Sequence, residues 1–264
     1  MDATAPNAQG SPGTVKPLGG KIILVTGAGR GNGRAIALGL ATAGAHVIVT
    51  DIDEKTARET ADRIRDMAGL ASHSKLDITD EDACTALAAY VSRTHAGLDG
   101  LVNNAGIIIR EPHTSPAVRD NWRRTFDINV HGTFNCTMAF LGLLKQSKGA
   151  IVNITSMAGD IAQVGSFGYS ASKAALKMFT QTLAGEVAAD GVRVNAIAPG
   201  VIVTEMTAAT RADSGRLGRL MDRIPMGRLG QPEELIGAAV FLCSDASAYV
   251  AGATIPVDGG YLAV

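Results

Sequence analysis

IILVTGAGRGNG, residues 22–33, is the stretch whose reading decides the fold. Its first five residues are aliphatic or β-branched and do not alternate with polar ones, as expected of a strand buried on both faces. A glycine cluster follows, then RAIALGLATAG (34–44), a small-residue helical pattern ending at Gly44. The cluster fits TGxxxGxG, with Gly27, Gly31 and Gly33. It does not fit GxGxxG, which would need glycine at Asn32. Between a strand and a helix, such glycines allow a tight turn and let the backbone approach a pyrophosphate. The helix N-terminus adds free N–H groups and a partial positive charge. An ordinary glycine-rich turn is the competing reading.

Working outward, HVIVT (46–50) is the next strand, and Asp51 stands at its end, 18 residues beyond Gly33. A carboxylate there can accept hydrogen bonds from the adenosine ribose hydroxyls and repels a 2′-phosphate. It therefore favours NAD over NADP. Arg30 pulls the other way, since a cation in the glycine loop suits a 2′-phosphate. Asp51 could instead be a loop acid or helix cap.

The same alternation runs on to the C-terminus. Further strands are read at 71–76, 98–104, 149–155, 192–198 and 254–257, with helices near 54–68, 80–95, 116–146, 167–189 and 232–244. Seven strands with mostly helical connections predict an α/β chain: a single-domain Rossmann fold, a doubly wound seven-stranded parallel sheet with helices on both faces. Residues 200–230 read as irregular. Residues 1–19, rich in Pro, Gly, Ala and Ser, lack a basic segment followed by an apolar one and read as a disordered extension, not a secretory signal. Residues 20–264 show no linker and are expected to form one domain.

Composition narrows the function. There are 24 basic and 25 acidic residues, a net charge of −1, so no nucleic-acid or membrane-surface footprint is expected. No apolar run is long enough to span a membrane. Cys84, Cys136 and Cys243 lie far apart and read as free thiols in a reducing compartment, hence a cytoplasmic expectation. The five histidines form no HxxxH pair, and no metal site is expected.

Tyr169 and Lys173 in YSASK are four apart near the start of a helix, which puts both on one face. Ser156 follows the fifth strand. In an open parallel sheet the carboxyl ends of the strands line the ligand crevice. The glycine loop, Asp51, residues 103–106, Ser156 and residues 199–200 all fall at such ends, so ligand and chemistry residues converge on one edge. Each has a plainer reading: Ser156 as a cap, Asn129 as a cap or surface residue, NNAG (103–106) as a turn, Asp77 as the cap of the helix near residue 80.

TGAGRGNG, NNAG, Asn129 in DINVHG, Ser156, YSASK, APG (198–200) and VDGGY (257–261) occur in order. Together they resemble the short-chain dehydrogenase/reductase family in its single-domain form, from about residue 20 to the end. The resemblance implies that Tyr169 is the general acid/base, that Lys173 lowers its pKa and holds the nicotinamide ribose, and that Ser156 binds the substrate oxygen. Asn129 would position a water linking Lys173 to solvent. Cofactor contacts are implied for Gly27, Arg30, Gly31, Asn32 and Gly33 in the loop, and for Asp51, Ile52, Asp77 and Ile78 on the adenosine side. They are also implied for Asn104, Ala105 and Gly106, for Tyr169 and Lys173, and for Pro199, Gly200, Ile202 and Thr204. Asn32 departs from the branched apolar residue usual there.

The expected activity is NAD-dependent interconversion of a secondary alcohol and a ketone, on a polyol, sugar acid, hydroxysteroid or 3-hydroxyacyl substrate. An NADP-dependent 3-oxoacyl reductase and a non-catalytic dinucleotide sensor are the rivals. Residues 201–229 are expected to form a lid. Its methionines could contact an apolar ligand. Arg211, Arg216, Arg219 and Arg223 read as a solvated face more readily than as an anion site. Ile107, Ile108, Ile109 and His113 are expected at the pocket border. The helices carrying Asn129 and Tyr169 are apolar on more than one face, and the resemblance implies that they pair in a homotetramer.

Overall fold

The computed structural model describes residues 16–95 and 97–264. Seven runs, all but the polar third one largely apolar, form the strands β1 Ile22–Val25, β2 His46–Asp51, β3 Leu70–Lys75, β4 Gly100–Asn103, β5 Ala150–Ile154, β6 Arg193–Pro199 and β7 Thr254–Val257. They pair in parallel in the order β3-β2-β1-β4-β5-β6-β7. β1 and β4 are neighbours, so the chain winds outward in both directions from them. That junction is where connections diverge and leave a crevice.

Side chains alternate across the sheet, and each face has its own core. Ile23 and Val25 of β1 face one side with Val47 and Val49 of β2. There they meet Ile36 and Leu40 of α1 (Gly31–Thr42), Ile64 of α2 (Glu54–Asp66) and Leu242 of α9 (Ile236–Cys243). Leu24 and Ile48 face the other side. They meet Leu87 of α3 (Glu81–Thr94), Phe140 and Leu144 of α5 (Thr133–Ser147), and Leu183 of α6 (Phe167–Val187). Asp53 and Asp80 cap α2 and α3 with side-chain oxygens on the N–H groups of Lys55 and Ala83. The cap of α3 is thus Asp80, whereas Asp77 holds the preceding turn through Thr79 N–H and Oγ1.

Three expectations change. Leu18 is fully buried in the first core, and its N–H donates to Ala43 O at 2.9 Å. The fold therefore begins before residue 20, and of the expected extension residues 1–15 lie outside the described residues. The helix read as continuous over 116–146 is α4 (Val118–Phe126), a π-helical segment Asp127–Gly132, then α5. The stretch read as irregular carries α7 (Ala208–Ala212) and α8 (Ser214–Met221), and Leu220 buries against Met157, Val201, Ile224 and Tyr261.

Candidate active site

The glycine loop is shaped by backbone packing. Gly27 and Gly31 hold φ of +60° and +52°, a conformation open to glycine at little cost. A Cβ on Gly33 would lie 2.2 Å from Gly27 O and 2.4 Å from Asn104 Nδ2, so only glycine fits between the loop and residues 103–106. Asn104 Nδ2 donates to Thr26 O and Gly27 O, while Thr26 Oγ1 accepts from Asn104 N and Ala105 N. NNAG is therefore the clamp that holds the loop's shape. The first turn of α1 has no acidic residue and no side-chain cap, leaving N–H groups for an anion. Asn32 Oδ1 is buried there without a partner in the protein. An uncapped helix start and a cradle closed to any Cβ suit a dinucleotide pyrophosphate, whereas the orphaned Asn32 Oδ1 could only accept from a donor.

At the end of β2, Asp51 Oδ2 accepts from Gly29 N at 2.9 Å and Oδ1 from Asp53 N at 3.1 Å. Ile52, beside it, is 60% exposed, and Ile78 is buried against Gly132. Arg30 reaches across to Glu205 at 3.1 Å, an exposed pair that ties the loop to the start of residues 200–230. Gly31 and Thr204 also approach each other, and Ile202 bridges to Gly230. Gly200, past Pro199 at the end of β6, donates its N–H to Val257 O.

The chemistry-bearing residues meet at the same edge. β5 ends at Ile154, and Ser156 starts a short 3₁₀ turn, Met157–Gly159, its Oγ accepting from Ala158 N at 3.1 Å. The cap reading of Ser156 holds, and the same hydroxyl lies near enough to Tyr169 to act on its phenol. One turn along α6, Lys173 is 4% exposed; its Nζ donates to Ile154 O at 2.8 Å and sits 5.7 Å from the centre of the Tyr169 ring. Burial pushes this ammonium down to about 8. Burial pushes the Tyr169 phenol above its ordinary value, against the expected lowering, and the Ser156 hydroxyl and the Arg110 charge pull it back. Desolvation disfavours a phenolate more than these two partners favour it.

Asn129, fully buried in the π-helical segment, accepts from Ile107 N at 2.8 Å with Oδ1. Its Nδ2 donates to Ile107 O and Ser172 Oγ, both at 3.0 Å. It is neither a cap nor a surface residue. A Cβ on Gly106 would lie 3.0 Å from Asn129 Oδ1 and 3.5 Å from Lys173 Nζ, so both groups converge on the bare face of Gly106.

Above these residues lies a cleft that is open to solvent. Ser156, Tyr169 and Gly200 form its floor, and Met206, Thr207, Thr210, Arg216 and Leu220 overhang it. Ile108 and Arg110 line one wall. Ile109 lines a smaller neighbouring hollow, and His113 is exposed and borders neither. Sequence reasoning missed Arg110. It also weighed Arg216 toward solvent, whereas the structure turns that side chain into the cleft. No group of three His, Cys, Asp or Glu among the described residues could hold a metal ion. No helix of the described residues is long and apolar enough to cross a membrane.

A family model described as enoyl-(acyl carrier protein) reductase matches residues 27–262. The 3-oxoacyl-[acyl-carrier-protein] reductase FabG of Aquifex aeolicus is 39% identical over 92% of this chain and 98% of its own. The galactitol 2-dehydrogenase (L-tagatose-forming) of Cereibacter sphaeroides is 40% identical over 94% and 97%. A gluconate 5-dehydrogenase from Burkholderia cenocepacia, solved in complex with NADP and tartrate, superposes with a TM-score of 0.90 at 36% identity, covering 95% of this chain and 98% of that one.

Proposed function

Because this chain belongs to the short-chain dehydrogenase/reductase family, we propose that it interconverts a secondary alcohol and a ketone with a nicotinamide dinucleotide, Tyr169 moving the proton. The observation that carries the reading is the meeting of Ser156, Tyr169 and Lys173 at one cleft, beside a glycine loop and an uncapped helix start shaped for an anion. When bound, the nicotinamide would supply the hydride chemistry at the carbinol carbon, in either direction.

The remaining work falls to the chain. Ser156 has its Oγ fixed by Ala158 N–H and keeps its own proton to donate to the substrate oxygen. Tyr169, beside Ser156, takes the hydroxyl proton on oxidation and gives it back on reduction. Lys173 spends one N–H on Ile154 O, which aims the rest of the ammonium at the ribose side of the site and at the phenol. Its protonated form favours the phenolate. Asn129 first holds Ile107, and the remaining lone pair of Oδ1 is free to orient a water beside Lys173. The cofactor contacts expected from the glycine loop through Thr204 belong to this proposal, with residues 200–230 as the lid.

Asp51 supports NAD as the preferred cofactor: its carboxylate faces the loop at Gly29, where a 2′-phosphate would meet it. Bound NADP in the Burkholderia relative favours a second reading, use of NADP, with Arg30 released from Glu205. For the substrate, a polyol or sugar acid is the main reading and a 3-oxoacyl thioester the second, on the likeness to the Aquifex enzyme. Three free buried thiols suit a reducing compartment, and we place the protein in the cytoplasm.

The test is cofactor reduction at about 340 nm, the reduced-nicotinamide band, over a panel of polyols, sugar acids, hydroxysteroids and 3-hydroxyacyl thioesters. Tyr169→Phe should lose roughly 10²–10⁴-fold in kcat and still bind cofactor. Wild-type turnover in that variant would remove Tyr169 from the mechanism.

A further inference from the structure

The cleft above Tyr169 is lined by two arginines, Arg110 and Arg216, and by no acid. The two lie close enough for each charge to act on the other, and Arg110 also acts on Tyr169. Like charges brought together at a half-buried site cost energy unless an anion joins them. Among the described residues neither guanidinium pairs with a carboxylate. Asp213 uses Oδ1 on Arg216 N to cap α8, Glu111 holds Asn121, and Glu205 holds Arg30. Arg216 spends Nη2 on Val164 O, which fixes its fork at the cleft wall.

Two polar atoms of the cleft lining are moreover buried with no partner in the protein: Arg110 Nε and Thr210 Oγ1. Buried polar groups are rarely left so, and each such exception calls for an explanation. Two cations, and two residues with an orphaned donor, therefore line the same cleft as Ser156 and Tyr169.

We propose that Arg110 and Arg216 form a carboxylate subsite, so that the substrate is a hydroxy acid held by its carboxylate while its carbinol lies on Ser156 and Tyr169. The proposal rests on the oxidoreductase reading above and names its substrate class. The planar guanidinium fork matches a carboxylate in two parallel hydrogen bonds, and Thr210 Oγ1 supplies a further donor. A neutral polyol would leave both charges and both orphans unmet. That is the situation in which a polar site rejects a ligand lacking its partner group.

The test compares ligands that share a carbon skeleton. D-gluconate and D-glucitol are titrated calorimetrically into the enzyme saturated with reduced cofactor, where no turnover occurs. D-gluconate should bind about 30-fold or more tightly than D-glucitol. In Arg110→Gln and in Arg216→Gln that ratio should fall by roughly tenfold or more, with cofactor affinity serving as the check on folding. Arg110→Lys, which keeps the charge and loses the fork, should fall between. Equal affinities in the wild type, or a ratio unmoved in both glutamine variants, overturn the proposal. D-glucitol 6-phosphate binding more tightly than D-gluconate also overturns it, in favour of a phosphate.

The same titration and the turnover panel, both on the wild type, separate the two readings. Selective carboxylate binding without oxidation of any panel alcohol leaves the subsite standing and removes the chemistry. Oxidation of neutral alcohols without selectivity does the reverse.

Discussion

Tyr169 is a phenol raised by burial and pulled back by Ser156 and Arg110. Removing the Arg110 charge removes one of the pulls on the phenolate, so the pKa must rise. The fraction of Tyr169 ready to accept a proton at a given pH then falls. In Arg110→Gln the rising limb of the alcohol-oxidation profile should therefore move to higher pH, seen in kcat against pH at saturating substrate. An unmoved limb would mean that Arg110 does not reach the phenol electrostatically. Asp51 permits a second test. Asp51→Asn keeps a side-chain oxygen for Gly29 N–H and removes the charge. The preference for NAD over NADP, as a ratio of kcat/KM, should drop about tenfold or more if that charge repels a 2′-phosphate. A constant ratio would leave Asp51 a loop anchor. Tyr169, Lys173 and Ser156 could be read from the chain because helical spacing and strand ends are local properties. Arg110 could not. It follows an isoleucine run on a loop with no period, and its role depends on Arg216, which α8 brings back from over a hundred residues away.

At the scale of elements, the strands were legible because parallel strands covered on both faces must be apolar throughout, and all seven runs fall within a residue or two of their observed bounds. β3 reads weakly because it is the sheet edge, with no fully buried residue. The π-helical segment was not legible. Its cause lies elsewhere in the chain: Asn129 bends toward the backbone of Ile107, and Thr133 Oγ1 takes the carbonyl of Asn129. Wide turns of this kind recur at functional sites. Asn129→Ala would strip Ile107 of both backbone partners, at about 1–3 kcal/mol for each buried group left unmet. A clear fall in the denaturation midpoint should therefore accompany any loss of rate. Activity lost at unchanged stability would assign Asn129 to the reaction alone. The glycine loop gives the complementary case. A methyl on Gly33 meets a carbonyl oxygen and an amide that are themselves tied to Thr26 and Gly27, so neither can give way. Gly33→Ala should cost about 1–3 kcal/mol by chemical denaturation and weaken cofactor binding. Native stability with wild-type affinity would show the loop to be looser than its packing implies.

At the scale of the molecule, one surface gathers exposed apolar side chains. Phe134 and Met138, one turn apart on α5, are 48% and 46% exposed, and Met178 on α6 is 60% exposed. The Phe134 ring lies 6.1 Å from that of Phe179, so the two helices present a joined patch. Contiguous exposed apolar side chains of this size mark an interface. A second copy packing on this face is the outcome that the expected homotetramer leads one to test. The patch shares α6 with Tyr169 and Lys173, and Met178 is little more than one turn beyond the lysine. An assembly on this face would therefore share an element with the site. A carboxylate at Phe134 or Met178 would have to be buried unpaired at the helix pairing. The double variant Phe134→Glu, Met178→Glu should elute as a smaller species by light scattering, below the mass of four 27.1 kDa chains. Its kcat should fall with the assembly, because α6 loses the packing that holds its catalytic turn. An unchanged mass would move the interface elsewhere. A dissociated chain with wild-type kcat would show that α6 is held by the sheet alone, through β5 and the Lys173 bond to Ile154, and that the tetramer serves something other than the site.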